Sequence, residues 1–117
     1  MKGVNIKHKV IEIFGVKESL IVDSQSLIFR IKKFIEKEKL KVVDFKHHDF
    51  KPYGTTIVFI LSTSHLAVHT WPEYNYLHLD IVTCSHLSNN ENLTQIIKEV
   101  FEVKKQDIKI KEIKYED

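Results

Sequence analysis

The apolar and polar positions along the chain predict strands that alternate with helices. Lys9–Phe14 is rich in β-branched residues and ends at Gly15, which is typical of a strand followed by a turn. Asp23 and Ser24 are favoured helix caps, and the segment after them predicts a first helix. Its apolar residues recur at helical spacing, with charged residues on the opposite face: Leu27, Ile28, Ile31, Phe34 and Ile35.

The middle of the chain predicts two further strands. Leu40–Phe45 is the first of them, and it ends near residues 47–49. Ile57–Leu61 is apolar on both faces, which predicts a central strand of a sheet. This strand leads directly to the dipeptide Thr63-Ser64.

Residues 68–72 favour extended chain, because they include β-branched and aromatic residues and a proline. After a turn at residues 71–73, the segment Tyr76–Cys84 alternates with a period of two and predicts a half-buried strand. This alternation places Cys84 on the same face as His78 and Asp80.

Residues 88–90 offer several caps for a second helix. Its apolar stripe consists of Leu93, Ile96, Ile97, Val100 and Phe101. Ile108 and Ile110 alternate with charged residues and predict a final strand at a sheet edge. Together these elements predict an α+β two-layer sandwich, with a mostly antiparallel sheet and two helices on one face.

The composition narrows the class of protein. The length of 117 residues suits a single domain that spans residues 1–117. The 18 basic and 16 acidic residues give a net charge of +2, and they form no basic stripe of the kind that binds nucleic acid. No apolar stretch approaches the ~20 residues that cross a bilayer, and the first residues resemble no signal peptide. We therefore expect a cytoplasmic protein with no membrane partner. The single cysteine implies a free thiol.

A hydroxyl, an imidazole and the only thiol lie within 21 residues, at Ser64, His69 and Cys84. These groups suffice for nucleophilic attack, proton abstraction and proton donation. However, a single serine is more often a turn residue, and a single cysteine more often packs in the core. The motif of a serine hydrolase and a glycine-rich phosphate loop are both absent from the sequence. His65 and His69 have the spacing of a helical zinc pair, but the extended character of this segment predicts no metal site.

Five motifs in this order resemble the small prokaryotic S-adenosylmethionine decarboxylases. They are Pro52-Tyr53-Gly54, the apolar strand, Ser64-His65-Leu66, residues 68–73 and residues 80–84. The resemblance extends from His8 in the first strand to the second helix. It implies a pyruvoyl-dependent carboxy-lyase that decarboxylates S-adenosylmethionine and so supplies the aminopropyl donor for spermidine.

The resemblance also implies a proenzyme that cleaves itself between Thr63 and Ser64, giving chains 1–63 and 64–117. The Ser64 hydroxyl would attack the preceding carbonyl, and β-elimination from the resulting ester would leave the pyruvoyl group that forms a Schiff base with substrate. By the same resemblance, His69 accepts a proton during processing, Thr56 assists it in place of the usual serine, and Cys84 donates a proton during catalysis.

The remaining implied roles concern the substrate and the assembly. Phe50 and Trp71 match positions suited to stacking on adenine and facing the sulfonium, and Glu73 matches a carboxylate for the ribose hydroxyls. The family builds its active site across a homodimer of processed protomers. One departure is Thr63, where the family usually has glutamate; its β-branching suggests slow or incomplete processing.

Two other functions stay open from the sequence. Related pyruvoyl enzymes decarboxylate amino acids such as arginine, although Trp71 and Glu73 favour a nucleoside substrate. An uncleaved regulatory or binding paralogue without activity is the third alternative. Cleavage separates this last alternative from the two enzymes, and substrate preference separates the enzymes from each other.

Overall fold

A computed structural model describes residues 5–115, and all strand pairings in this range are antiparallel. The strands are β1 (Lys7–Ile13), β2 (Val42–Asp49), β3 (Thr55–Leu61), β4 (Ser64–Trp71), β5 (Tyr76–Thr83) and β6 (Ile108–Ile113). The helices are α1 (Glu18–Ile21), α2 (Ser24–Lys37) and α3 (Asn90–Phe101), with 3₁₀ turns at Pro72–Tyr74 and Lys105–Asp107. The strands form one six-stranded sheet in the order β2-β3-β4-β5-β1-β6.

One face of the sheet packs against the helices and forms the core. Successive side chains of a strand point to opposite faces, so alternate residues of β3, β4 and β5 are buried. The largest fully buried side chains from the sheet and helices include Ile11, Ile13, Leu27, Ile31, Phe34, Ile57, Phe59, Leu66, Leu77 and Phe101. The predicted α+β sandwich is confirmed.

The starts of the two long helices follow from their caps. The Asp23 side chain accepts a hydrogen bond of 3.1 Å from the backbone N–H of Gln25, and Asn89 accepts one of 2.9 Å from that of Asn92. Arg30 on α2 donates to the backbone oxygen of Val100 at 2.5 Å, which joins α2 to the C-terminal end of α3. None of the helices within residues 5–115 is long and apolar enough to cross a membrane.

The structure differs from the sequence prediction in four details. A short helix, α1, precedes α2, and the segment predicted only as extended chain is a full strand, β4. Cys84 lies just beyond the end of β5 instead of within it. β3 is an interior strand as predicted, but Val58 and Ile60 on its second face are 41% and 51% exposed. This second face, which no helix covers, is called the open face below.

Two phenylalanines on α2 give a direct test of the core. Phe34 is fully buried and Phe29 is 60% exposed. We expect Phe34→Ala to lower the free energy of unfolding by about 3–5 kcal/mol, because it removes apolar contacts and leaves a cavity. Phe29→Ala is the matched control and should stay within about 0.5 kcal/mol of the parent. Urea unfolding measures both, in a Ser64→Ala background that keeps the chain intact.

Candidate active site

The dipeptide Thr63-Ser64 lies at a two-residue hairpin between β3 and β4. Leu61 pairs directly with Ser64 across this hairpin, so Ser62 and Thr63 form the turn itself. Ser64 also pairs with Thr83 on β5, and it is only partly buried. The predicted cleavage bond is therefore at the end of the sheet, at the junction between a turn and a strand.

The carbonyl oxygen of Thr63 receives two hydrogen bonds from one residue. The backbone N–H of Cys84 donates to it at 3.4 Å, and the Cys84 thiol donates to it at 3.5 Å. The antiparallel pairing of β4 with β5 brings Cys84 to this position although it is distant in sequence. Two donors on one carbonyl oxygen are the arrangement that stabilises negative charge on that oxygen.

The side chain of Thr63 is also held in place. Its hydroxyl is hydrogen bonded to the hydroxyl of Thr83 at 2.7 Å, and the same Thr83 oxygen accepts a bond of 3.0 Å from the backbone N–H of Ser85. A β-branched residue with a hydroxyl therefore fits this turn, where the resembled family has glutamate. Both the carbonyl and the side chain of Thr63 are fixed by the segment that follows β5.

His69 lies at the other end of β4, on the open face. Its Nδ1 is hydrogen bonded to the hydroxyl of Thr56, the residue directly opposite it on β3. Its ring lies between two aromatic side chains, with ring centroids 4.0 Å from Trp71 and 5.8 Å from Phe50. The structure thus brings together four of the predicted site residues around one imidazole.

Burial lowers the pKa of His69 below its ordinary value, and the facing His78 lowers that pKa further, while Glu73 raises it. A lowered pKa keeps the imidazole neutral at neutral pH and extends the neutral form to lower pH. A neutral imidazole is the form that accepts a proton. The environment of His69 therefore suits a base.

We expect His78→Gln to shift the pH dependence of any proton transfer to His69. His78 pairs directly with His69 on β5, and its replacement removes the electrostatic effect by which it lowers the pKa of His69. The pH below which the rate of self-cleavage falls should then be higher than in the wild type. Intact mass of cell-free translated protein, sampled over time at several pH values, measures this. His86→Gln, which removes an exposed imidazole in the loop after Cys84, should leave this pH unchanged.

The predicted substrate contacts surround His69 on exposed surface. Phe50 is 44% exposed and its backbone N–H donates to the oxygen of Gly54 at 2.7 Å, which closes a tight turn. Gly54 has a φ of +106° and a side chain there would meet the backbone oxygen of Thr70 at 3.3 Å, so this turn requires glycine. Glu73 is exposed in the 3₁₀ turn after Trp71.

Beside Trp71 lies a shallow aromatic pocket of about 330 Å³. Its walls are Phe14, Trp71, Tyr74 and Tyr76. The hydroxyl of Tyr76 donates to Glu12 at 2.7 Å, and burial together with this carboxylate raises the pKa of Tyr76 to about 12. Trp71 therefore belongs both to the surroundings of His69 and to an apolar surface that accommodates a flat ring.

The structure does not bring Ser64 and His69 of one chain together. Five residues of extended strand separate them by about 17 Å, and an odd spacing directs their side chains to opposite faces. One group therefore contains Thr63, Ser64 and Cys84, and the other contains His69 with its neighbours Thr56, Phe50 and Trp71. Within one chain, the two groups are therefore too far apart for a direct proton transfer.

The strand geometry also bears on the histidine pair considered from the sequence. His65 and His69 share the open face, but four residues of strand separate them by about 13 Å, too far for one ion. Within residues 5–115, no three His, Cys, Asp or Glu side chains lie close enough to hold a metal.

Several residues at these two groups were not identified from the sequence. Thr83 binds Thr63, His78 faces His69, and His65 lies beside Ser64 with its Nδ1 3.4 Å from the Ser64 hydroxyl. The first two depend on strand register. The two-residue hairpin at Ser62-Thr63 fixes the register of β3 against β4, which places Thr56 opposite His69, but it does not fix the register of β4 against β5.

The chain is similar to known proteins of one family. The family described as S-adenosylmethionine decarboxylase matches residues 7–114. A protein named S-adenosylmethionine decarboxylase proenzyme from Archaeoglobus fulgidus is 34% identical over 95 residues, covering 81% of this chain and 85% of the relative. One of the same name from Clostridium botulinum strain Langeland is 34% identical over 102 residues, covering 87% and 88%. The crystal structure of the adenosylmethionine decarboxylase from Aquifex aeolicus has the same fold, with a TM-score of 0.79 at 23% identity over 94% of this chain and 89% of that one.

Proposed function

The chain belongs to the S-adenosylmethionine decarboxylase family and is a decarboxylase, and from this premise we propose how it works. It cleaves itself between Thr63 and Ser64, converts Ser64 into a pyruvoyl group and then decarboxylates S-adenosylmethionine. The product is the aminopropyl donor for spermidine. The observation that carries the proposal is the pair of Cys84 donors on the Thr63 carbonyl oxygen.

Processing begins with attack of the Ser64 hydroxyl oxygen on the carbonyl carbon of Thr63. The attack forms a five-membered ring, and the carbonyl π electrons move to the oxygen. The backbone N–H and thiol of Cys84 lie on that oxygen and stabilise the charge as it develops. The ring opens when the bond to the Ser64 nitrogen breaks, which leaves an ester between the Thr63 carbonyl and the Ser64 side chain.

The second stage needs a base for the Cα proton of residue 64. We assign this role to His69, whose lowered pKa keeps it neutral and whose ring is fixed by Thr56 and Trp71. Removal of the proton expels chain 1–63 as a carboxylate. The dehydroalanine that remains tautomerises, takes up water and releases ammonia, which gives chain 64–117 with an N-terminal pyruvoyl group.

The start of β4 can accommodate the pyruvoyl group, because residue 64 is only partly buried there and the Cys84 thiol lies close to the preceding carbonyl. The pyruvoyl carbonyl supplies an attachment point for the substrate amino group and an electron sink for loss of carbon dioxide. Cys84 then donates the proton that replaces the lost carboxylate. Its exposure and its place beside residue 64 support this role.

The substrate is bound by the residues around His69. Phe50 is 44% exposed and Trp71 lines the aromatic pocket, so both can contact an adenine ring or a sulfonium, and the exposed Glu73 can accept bonds from ribose hydroxyls. These features favour S-adenosylmethionine over an amino acid, which has no flat ring to stack. The family's relatives bear the same substrate in their names.

The enzyme is a homodimer that uses the open face as its interface. Val58 and Ile60 expose apolar surface there, whereas the helices cover the opposite face of β3, β4 and β5. The dimer brings the Ser64 end of one protomer to the His69 end of its partner, which one chain alone keeps about 17 Å apart. Each dimer then contains two equivalent active sites.

Intact mass under denaturing conditions tests the processing. We expect chains of 63 and 54 residues, the second blocked by pyruvoyl, and a single uncleaved chain for Ser64→Ala. Carbon dioxide release from carboxyl-labelled S-adenosylmethionine and arginine then tests the substrate. Release from arginine alone would indicate an amino-acid decarboxylase. An uncleaved wild-type chain without release would indicate a non-catalytic paralogue and overturn the proposal.

Thr63 provides a further prediction about the rate of processing. A β-branched side chain restricts the backbone of the cleaved bond, and the bond from Thr63 to Thr83 holds it further. We expect Thr63→Glu, which has neither constraint, to self-cleave severalfold faster than the wild type. Time-resolved intact mass of cell-free translated protein measures this, with Ser62→Ala in the same turn as the control. Rapid, complete cleavage of the wild type would contradict the prediction.

A further inference from the structure

The first step of the proposed processing leaves one proton without a destination. The Ser64 hydroxyl must lose its proton as its oxygen attacks the Thr63 carbonyl. His69 does not reach this hydroxyl within one chain, and it already has a role in the later elimination. The Cys84 groups donate hydrogen bonds to the Thr63 oxygen, so they do not accept the proton.

Within the described residues, the side-chain hydrogen bond of the Ser64 hydroxyl is to Nδ1 of His65, at 3.4 Å. We infer that His65 is the base that removes the Ser64 hydroxyl proton. The role rests on the proposed self-cleavage and adds a catalytic residue to it. With its proton on Nε2, the His65 ring has a lone pair on Nδ1 directed at the hydroxyl.

The geometry suits a transient catalytic contact. Catalytic hydrogen bonds are commonly long before reaction and shorten as the reactive state forms. Within one protomer, His65 is exposed at the start of β4, so its ring can adjust its position relative to the Ser64 hydroxyl. Ser64 is the first residue of β4, next to the hairpin turn, and its hydroxyl lies 3.4 Å from Nδ1 of His65 in the same protomer, so this contact needs no contribution from the partner.

The proton balance of the step is complete with His65. Nδ1 takes the hydroxyl proton as the bond from the serine oxygen to the Thr63 carbon forms. The negative charge resides on the carbonyl oxygen, beside the two Cys84 donors. When the carbon–nitrogen bond breaks, the imidazolium returns the proton to the Ser64 nitrogen, which becomes the amine of the ester. No external acid, base or oxidant is consumed.

The test separates ester formation from elimination. His65→Gln should form the ester about 10²–10⁴ times more slowly than the wild type, which is the usual effect of losing a general base. The purified variant should therefore be uncleaved and resistant to hydroxylamine, because its bond at residues 63–64 is still an amide. His69→Ala should be uncleaved but sensitive to hydroxylamine, because it stops at the ester. His86→Gln is the matched control and should cleave like the wild type.

Added imidazole provides the second measurement. Free imidazole should start the self-cleavage of His65→Gln, because it can replace the missing base beside the Ser64 hydroxyl at the end of the sheet. Three results would overturn the assignment: cleavage of His65→Gln at the wild-type rate, cleavage of this variant by hydroxylamine, or no response to imidazole. If the wild type and His86→Gln also stay uncleaved, the proposed function itself fails, and the role of His65 fails with it.

Discussion

Coexpression of Ser64→Ala with His69→Ala is expected to restore a self-cleavage that neither variant shows alone. The expectation follows from β4, which keeps the two side chains of one protomer about 17 Å apart. In a mixed dimer, the His69→Ala protomer supplies an intact Ser64 and the partner supplies an intact His69. One of the two sites is then complete, and the other lacks both groups.

The identity of the cleaved chain makes this experiment specific. Only the His69→Ala chain retains the serine, so only that chain should yield the 63-residue and 54-residue products. With equal amounts and random pairing in a twofold dimer, about half of the His69→Ala chains should be cleaved. Different affinity tags on the two chains allow intact mass to assign each product.

The control for complementation is a mixture without any complete site. Coexpression of His69→Ala with the double variant Ser64→Ala/His69→Ala keeps a serine in one protomer but leaves no His69 in either, so it should yield no cleaved chain. If His69→Ala is cleaved when expressed alone, His69 is not the required base. If the mixture of single variants stays uncleaved while the wild type is processed, the two groups must meet within one chain, and the arrangement across a dimer is wrong.

The sequence predicts the fold better than it predicts the site, for a physical reason. Helical spacing of apolar residues and alternation in strands depend on neighbours in the chain, so α2, α3 and β5 were predicted close to their observed bounds. Contacts between strands depend on register, which the alternation alone does not give. Thr83 beside Thr63 and His78 beside His69 are contacts of this second kind.

Distance along the chain does not predict which of the candidate residues lie close together in the fold. Ser64 and His69 are close in sequence, but an extended strand separates them. Cys84 is distant in sequence from Thr63, but antiparallel pairing of β4 and β5 places both at the same end of the sheet. The family resemblance identified all three candidate residues, and the strands determine which of them can act on one another within a protomer.

Substitution of Cys84 should separate the processing of the chain from its catalysis. The Cys84 thiol donates to the carbonyl oxygen of Thr63, next to the bond proposed to be cleaved, so it is placed for both stages. Cys84→Ala keeps the backbone donor but loses the thiol. We expect it to process about 10²–10³ times more slowly, as for loss of one oxyanion donor. We expect the kcat of its cleaved fraction to fall by about 10²–10⁴, as for loss of a general acid.

Cys84→Ser tells the two roles of the thiol apart. Its hydroxyl can still donate a hydrogen bond to the Thr63 oxygen, so processing should stay within about tenfold of the wild type. A hydroxyl is a much weaker acid than a thiol, so the kcat of the processed enzyme should remain close to that of Cys84→Ala. Intact mass measures the first quantity, and carbon dioxide release per cleaved chain measures the second, with His86→Gln as the reference.

Wild-type turnover by Cys84→Ser would show that proton donation does not use the thiol. Unimpaired processing of Cys84→Ala would show that the backbone N–H alone supports the charge on the Thr63 oxygen.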